Sequence, residues 1–144
     1  MKVIVFVKAT KNSEAGVMPS EKLLSDMGKF NEELVKAGIM QNGEGLHPSV
    51  KAKRIEFSDG KTTVIDGPFA ETKELVSGFW IWKVKSMEDA VSWARRCPIP
   101  MPGEVSVLEI RPVFEPEDFG AEYTPELQAR NERLRVEIEQ QQKQ

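Results

Sequence analysis

The sequence predicts an α+β fold in which strands and helices alternate along the chain. Residues 3–7 are continuously apolar, which is typical of a central strand buried on both faces. Apolar residues at three- and four-residue steps predict one helix after Ser20 and another after Ser86. A hairpin lies between these helices and a last strand follows them. The order strand, helix, strands, helix, strand predicts a ferredoxin-like split βαβ sandwich with an inserted hairpin.

The segments around the first helix are predicted to be irregular. Residues 11–16 are polar and contain glycine, which predicts a loop. The helix from Ser20 is predicted to stop before Gly38. A short strand begins at Ile39, and the polar, glycine-containing residues 41–49 are predicted to break regular structure.

A tight hairpin is the clearest local prediction. Two strand-like stretches flank the Asp-Gly dipeptide at residues 59–60. A two-residue Asp-Gly loop is typical of tight hairpin turns because both central residues accept positive φ values. This register pairs Ile55 with Val64 and Lys53 with Asp66.

The last two strands of the domain are predicted at residues 78–84 and 105–113. The first of them is rich in aromatic residues, which favour strands. Alternation places Trp80 and Trp82 on one face of that strand. These indoles either line an aromatic pocket or belong to the core or a dimer interface, which is the commoner role of buried tryptophans.

One face of the sheet is predicted to be left uncovered, because two helices cover only one face of an antiparallel sheet. On the last strand Leu108 and Ile110 share one face, and the other face carries Val105, Val107, Glu109 and Arg111. Neither face is plainly polar. Large apolar patches are unusual on monomers, so the sequence predicts a homodimer.

The composition changes after Val113. An acidic, irregular linker is followed by Thr124-Pro125-Glu126, which predicts a helix that runs to about Gln140. We therefore assign the folded domain to residues 1–113, and an acidic linker with a C-terminal helix to residues 114–144.

Composition and charge exclude several classes of protein. The chain is 40% hydrophobic and 30% charged, as expected of one soluble domain with a core. Its apolar runs are far shorter than the ~20 residues of a membrane span. A single cysteine excludes an intramolecular disulfide and favours a cytoplasmic location. The net charge of −3 gives no basis for nucleic-acid or membrane binding.

The sequence predicts neither a metal site nor a cofactor. One histidine and one cysteine are too few for a typical zinc site. Phosphate-binding loops, dinucleotide fingerprints and nucleophile elbows are absent from the sequence. Cys97, at a predicted helix end before a proline, is interpreted as packed rather than reactive.

A longer motif, DGPFAETKE at residues 66–74, carries a family resemblance. Together with GFWIWKV, SMEDAVSWARRCP and LEIRP downstream, it resembles the YCII-related superfamily, and more narrowly the branch named after the Asp-Gly-Pro-Phe (DGPF) motif. The resemblance covers about residues 1–114 and implies a ferredoxin-like fold of the dimeric α/β-barrel type with a cleft.

The resemblance does not settle an activity. Some members of the superfamily are thought to use a His-Asp pair, and relatives act as small lyases on unsaturated acids. The positions that match this pair hold Met27 and Lys36 here, so the pair is absent. Members of the DGPF branch are associated with sigma-factor regulatory systems.

Six side chains are candidates for a polar binding site, although no catalytic residue is assigned. Asp66 either acts as a general base or orients a ligand at a strand end, or it simply pairs with Lys53 and supports the Gly67-Pro68 turn. The neighbouring loop charges either rim a cleft or face solvent. The six candidates are Asp66, Glu71, Lys73, Glu74, Arg111 and His47.

His47 and Arg111 each have an ordinary alternative role. His47 is either an acid or base near neutral pH or an exposed loop side chain. Arg111 is either an anion hook or half of a buried ion pair with Glu109.

Two functional hypotheses follow from the sequence. The first is a small-molecule binder or enzyme that holds a small polar molecule in a cleft beside residues 66–74. The second is a non-catalytic interaction module that presents the same loop and the acidic tail to a partner such as a sigma factor. The sequence leaves open whether the protein is an enzyme.

Overall fold

The computed structural model describes residues 1–143, and the chain divides into two compact units between Pro112 and Val113. Three short 3-10 turns lie at Ser49–Lys51, Thr72–Glu74 and Pro116–Asp118. The remaining elements are β1 (Lys2–Lys8), α1 (Lys11–Glu14), α2 (Glu21–Lys36), β2 (Met40–Gly45), β3 (Lys53–Ser58), β4 (Lys61–Asp66), β5 (Val76–Lys83), α3 (Met87–Ala94), β6 (Leu108–Pro112) and α4 (Pro125–Gln142).

The first unit has the predicted α+β architecture. Its main sheet is antiparallel with the strand order β2-β5-β1-β6, and β3 and β4 form a separate two-stranded sheet. With α2 and α3 as the connecting helices, this order is the ferredoxin-like arrangement. Along the chain, the hairpin of β3 and β4 is inserted between β2 and β5. It does not extend the main sheet.

The core lies between α2, α3 and one face of the main sheet. Val3, Val5, Trp80 and Trp82 are buried on that face, where Phe30 of α2 packs edge-on against both tryptophans. Trp80 also donates a hydrogen bond of 2.9 Å from its indole nitrogen to Asn31 on α2. The two tryptophans are therefore core residues, as one of the two interpretations of the sequence expected.

The other face of the sheet is not covered by a helix of this unit. On β1, Val3 and Val5 are buried, whereas Ile4 and Phe6 on the opposite face are half-buried. The prediction that β1 is buried on both faces is wrong within the single chain, because both helices pack on the same side.

Two segments that were predicted to be irregular are regular. Residues 11–14 form the helical turn α1, because the Thr10 side chain accepts a hydrogen bond from the Ser13 amide in a capping box. Residues 41–45 continue β2 along the edge of β5. Here Gly43 lets the Trp80 ring lie against the backbone, since a Cβ would come within 2.8 Å of it.

The hairpin has the predicted register. Ile55 pairs with Val64 and Lys53 pairs with Asp66 across β3 and β4. The last strand is shorter than predicted, because β6 begins only at Leu108. Upstream of β6, the Ser106 side chain hydrogen-bonds the backbone of Met101 and closes a loop instead.

The second unit contains a linker with three aromatic rings in contact and the helix α4. The ring of Phe119 lies 5.0 Å from that of Phe114 and 4.9 Å from that of Tyr123. Thr124 caps α4, and none of the described residues of this helix is buried. Across residues 1–143, no helix combines the length and the apolarity that crossing a membrane would require.

Candidate ligand-binding cavity

The first unit has a cavity of about 650 Å³ beside α1. Its wall is formed by Ser77 of β5 and by four segments: α1 with the loop that follows it, the start of α2, the loop after β2, and the proline-rich segment that precedes β6. A neighbouring cavity of about 310 Å³ shares Leu23, Ser77 and Met101 with it and reaches the core residue Trp80. Together these cavities lie over one end of the main sheet.

The lining of the larger cavity is mainly apolar. Its apolar side chains come from every segment of the wall and include Val17, Met18, Leu23, Leu46 and Met101. Among the described residues, no lysine or arginine lines it. The ionisable residues of the wall are His47, Glu14 and Glu104. A neutral or positively charged molecule therefore suits this cavity better than an anion.

Of the six residues predicted from the sequence, only His47 lines this cavity. Asp66 forms an exposed ion pair with Lys53, whose Nζ lies 2.6 Å from its Oδ1. Arg111 is exposed and pairs with Ile4 in the sheet register. The last three predicted residues are exposed on the 66–74 loop, and neither cavity contains them: Glu71, Lys73 and Glu74.

Within the single chain, Arg111 is not half of a buried ion pair. Both Arg111 and Glu109 are exposed on β6. They lie on the sheet face that neither helix covers, so solvent screens their charges.

Glu14 is held in place by Ser49, a residue of the 3-10 turn before β3. The Ser49 amide donates hydrogen bonds of 3.1 and 3.2 Å to the two carboxylate oxygens of Glu14, and the Ser49 hydroxyl donates to Oε2. Ser49 is only 5% exposed and Glu14 is half-buried, so these charge-assisted bonds are partly shielded from water. They hold the end of α1 against the 3-10 turn.

Glu104 holds the other end of α1. The Thr10 hydroxyl donates a hydrogen bond of 2.7 Å to Oε1, and the Asn12 amide donates one of 3.3 Å to Oε2. No lysine or arginine in the described part of the chain forms an ion pair with Glu14 or Glu104. The negative charges at this wall are therefore stabilised by neutral hydrogen-bond donors.

The loop at residues 66–74, here called the DGPF loop, contacts Ser49, and neither the loop nor Ser49 lines a cavity. The Phe69 amide donates a hydrogen bond of 3.0 Å to the Ser49 hydroxyl oxygen, and the Gly67 amide donates one of 2.9 Å to the carbonyl of Ala52. The Arg54 guanidinium lies 3.8 Å from the centre of the Phe69 ring. The backbone of this loop thus supports the residue that holds Glu14.

Glu14, Ser49 and Glu104 were not identified from the sequence. Each lies far from its partner along the chain, at separations of 35 residues for Glu14–Ser49 and 94 for Thr10–Glu104. A local signal existed only for α1, because Thr10 and Ser13 have the spacing of a capping box.

The buried surroundings of Cys97 make its thiol unreactive. It packs against the core, and its thiol donates to the carbonyl of Pro98 at 3.2 Å. Burial raises the pKa of Cys97 to about 12. Within residues 1–143, no group of three or more histidine, cysteine or acidic side chains is arranged to hold a metal ion.

Comparison with known proteins identifies the family. The YCII-related domain matches residues 1–114. The chain belongs to the YCII-related family. An uncharacterised protein of Rhizobium meliloti (strain 1021) is 34% identical over 93 residues, which cover 65% of this chain and 74% of that protein. The predicted superfamily is confirmed, and assignment to its DGPF branch stays a prediction.

One solved structure shows a distant similarity. It is the 5-chloro-2-hydroxyhydroquinone dehydrochlorinase of Burkholderia phenoliruptrix AC1100 in complex with 2,5-dihydroxybenzoquinone. It is 15% identical to this YCII-related protein, with a TM-score of 0.41, and the match covers 76% of this chain and 91% of that chain.

Proposed function

We propose that this YCII-related protein binds a small molecule with a largely apolar body, either neutral or positively charged, in the cavity beside α1. The observation that carries the proposal is the cavity itself. Its volume of about 650 Å³ lies within the range of small-molecule sites. Its lining is mainly apolar, and a few polar groups stand among the apolar side chains, as such sites require.

The charges at the wall define the ligand class further. An anionic ligand would lie near Glu14 and Glu104, and among residues 1–143 no lysine or arginine lines the cavity to offset the repulsion. His47 can donate and accept hydrogen bonds, so it suits a polar substituent at one end of the ligand. The proposal replaces the small polar ligand expected from the loop charges, because those charges lie outside the cavity. No reaction is assigned.

A matched pair of fluorescent dyes tests this proposal. N-phenylnaphthylamine is neutral, and anilinonaphthalene sulfonate has the same aromatic body with a negative charge. We expect the neutral dye to bind saturably with one site per chain. We expect the sulfonate to bind about tenfold more weakly, a difference of about 1.4 kcal/mol. Equal affinities would contradict the ligand charge, and absence of saturable binding by the neutral dye would contradict the site.

Two variants locate the bound dye. Leu23→Asp places a carboxylate in the cavity wall and should abolish binding of the neutral dye. Phe57→Ser removes an apolar side chain that is 79% exposed on the hairpin and should leave binding unchanged. If the hairpin variant loses the dye and the cavity variant keeps it, the dye binds exposed apolar surface and the cavity is not the site.

A further inference from the structure

We propose that Ser49 is a positioning residue of the cavity, and that the DGPF loop acts through it to hold α1 in the cavity wall. The inference rests on the proposed function, since it concerns the same cavity. It assigns the DGPF segment a supporting role behind the wall, where its backbone matters more than its charged side chains.

The first step is the contact between the loop and Ser49. The Phe69 amide donates to the Ser49 hydroxyl oxygen at 3.0 Å. The backbone of Gly67 lies so close to the carbonyl of Ser49 that a Cβ would be 1.8 Å from its oxygen. The motif therefore requires glycine here because the 3-10 turn occupies the space of a side chain.

The second step is the contact between Ser49 and the cavity wall. Because the Ser49 hydroxyl accepts from Phe69, its hydrogen is directed to Oε2 of Glu14. The Ser49 amide adds a second donor to the same carboxylate. A serine that both accepts and donates links the DGPF loop to α1 through one buried side chain.

The third step is that few other contacts hold α1 in the cavity wall. It is a single turn, and none of its residues is buried, so apolar packing holds it weakly. Its polar connections are those of Glu14 to Ser49, and of Thr10 and Asn12 to Glu104. Loss of the Ser49 connection should free one end of α1 and change the cavity that it lines.

The side chains of the DGPF segment are consistent with this supporting role. Asp66 is exposed and paired with Lys53, and the Phe69 ring lies beneath Arg54. Neither residue lines either cavity. The segment acts on the ligand through two intervening residues, Ser49 and then Glu14, and makes no contact with it.

The experiment compares Ser49→Ala with the matched control Ser58→Ala, an exposed serine on the hairpin. Binding of N-phenylnaphthylamine is titrated in each full-length variant. We expect Ser49→Ala to weaken dye binding by about tenfold, because a buried charge-assisted connection is lost. We expect Ser58→Ala to bind as the unmodified protein does.

Hydrogen exchange separates positioning from general loss of structure. In Ser49→Ala the amides of residues 11–17 should exchange faster, whereas those of β1 and β5 should keep their protection. If Ser49→Ala fails to fold, Glu14→Ala breaks the same connection from the half-buried end and should produce the same two changes. A double variant, Ser49→Ala with Glu14→Ala, should bind no more weakly than Glu14→Ala alone.

The outcomes distinguish this inference from the proposed function. If the unmodified protein binds the dye in the cavity and both Ser49→Ala and Glu14→Ala bind it equally well, Ser49 has no positioning role and the inference is wrong. In that case the proposed function still stands. If the unmodified protein does not bind the dye, both are wrong.

Discussion

Gly67 and Ser49 are in direct backbone contact, and the space for a Gly67 side chain is taken by the carbonyl oxygen of Ser49. Residue 67 belongs to the DGPF motif, and residue 49 belongs to the 3-10 turn before the hairpin. The pairing of Lys53 with Asp66 brings the end of the hairpin back beside its start, so the motif that follows β4 lies next to the 3-10 turn that precedes β3.

Gly67→Ala should therefore destabilise the first unit by about 1–3 kcal/mol, because the added methyl forces the backbone of one segment to move. Urea unfolding followed by circular dichroism measures the change. The matched control is Gly28→Ala on the exposed side of α2, where nothing lies within 4 Å of the added atom. That variant should stabilise by up to about 1 kcal/mol, since alanine favours the helix. Equal effects of the two variants would contradict the contact.

Asp66→Ala should change stability only slightly. The Lys53–Asp66 pair has the predicted register, but its side chains are 67% and 73% exposed. An ion pair this exposed contributes about 0–1 kcal/mol. A double-mutant cycle with Lys53→Ala, run at low and high salt, measures the coupling. A coupling well above that range that persists in high salt would show that Asp66 has a role beyond this pair.

Stability should fall at alkaline pH because of Cys97. Burial raises its pKa from 9.0 to about 12. Below pH 9.0 the thiol is protonated in both the folded and the unfolded chain, so it adds no pH dependence. Between pH 9.0 and about 12 only the unfolded chain loses the proton, and the folded state is disfavoured. Across this range the free energy of unfolding should fall more steeply with pH in the unmodified protein than in Cys97→Ala. If the unfolding free energies of the two proteins change equally with pH, the thiol is not shielded from solvent in the folded state.

The protein should be a homodimer that pairs the uncovered faces of two sheets. Ile4, Phe6, Phe79 and Ile81 form the apolar centre of that face. A stable interface buries about 800 Å² on each partner. Sedimentation at micromolar concentration should show a dimer, and Phe79→Glu should produce a monomer. Val91→Glu, an exposed apolar position on α3, is the control and should stay dimeric. A monomeric unmodified protein would contradict this prediction.

The C-terminal unit should be dispensable for folding of the first unit. Within the described residues, every buried core residue lies before Pro112, and the large apolar residues of α4 are 39% to 52% exposed. A chain that ends after Val113 should melt cooperatively, with its stability changed by no more than about 1 kcal/mol. Loss of the transition or aggregation of the shortened chain would show that α4 contributes to the core or to an interface.

Local physical chemistry was sufficient to predict the longer helices and the hairpin, but it missed α1 and most of β2. The Asp-Gly turn set the register of the hairpin, because a two-residue loop leaves only one pairing. Ser20 and Ser86 marked the starts of α2 and α3, since a serine hydroxyl satisfies a free amide of the first turn. The order of these elements then predicted the ferredoxin-like arrangement.

Contacts between distant segments decided the rest. Gly43 in β2 was interpreted as a strand breaker, whereas its role is to make room for Trp80 on the neighbouring strand. The charges of residues 66–74 predicted a binding site beside that loop. The cavity is instead formed where α1, the loop after β2 and the segment before β6 meet. Sequence patterns report the local conformation of a segment and the face it buries. They do not report which loops meet in space, and in this protein that meeting determines the Glu14–Ser49 connection and the candidate site.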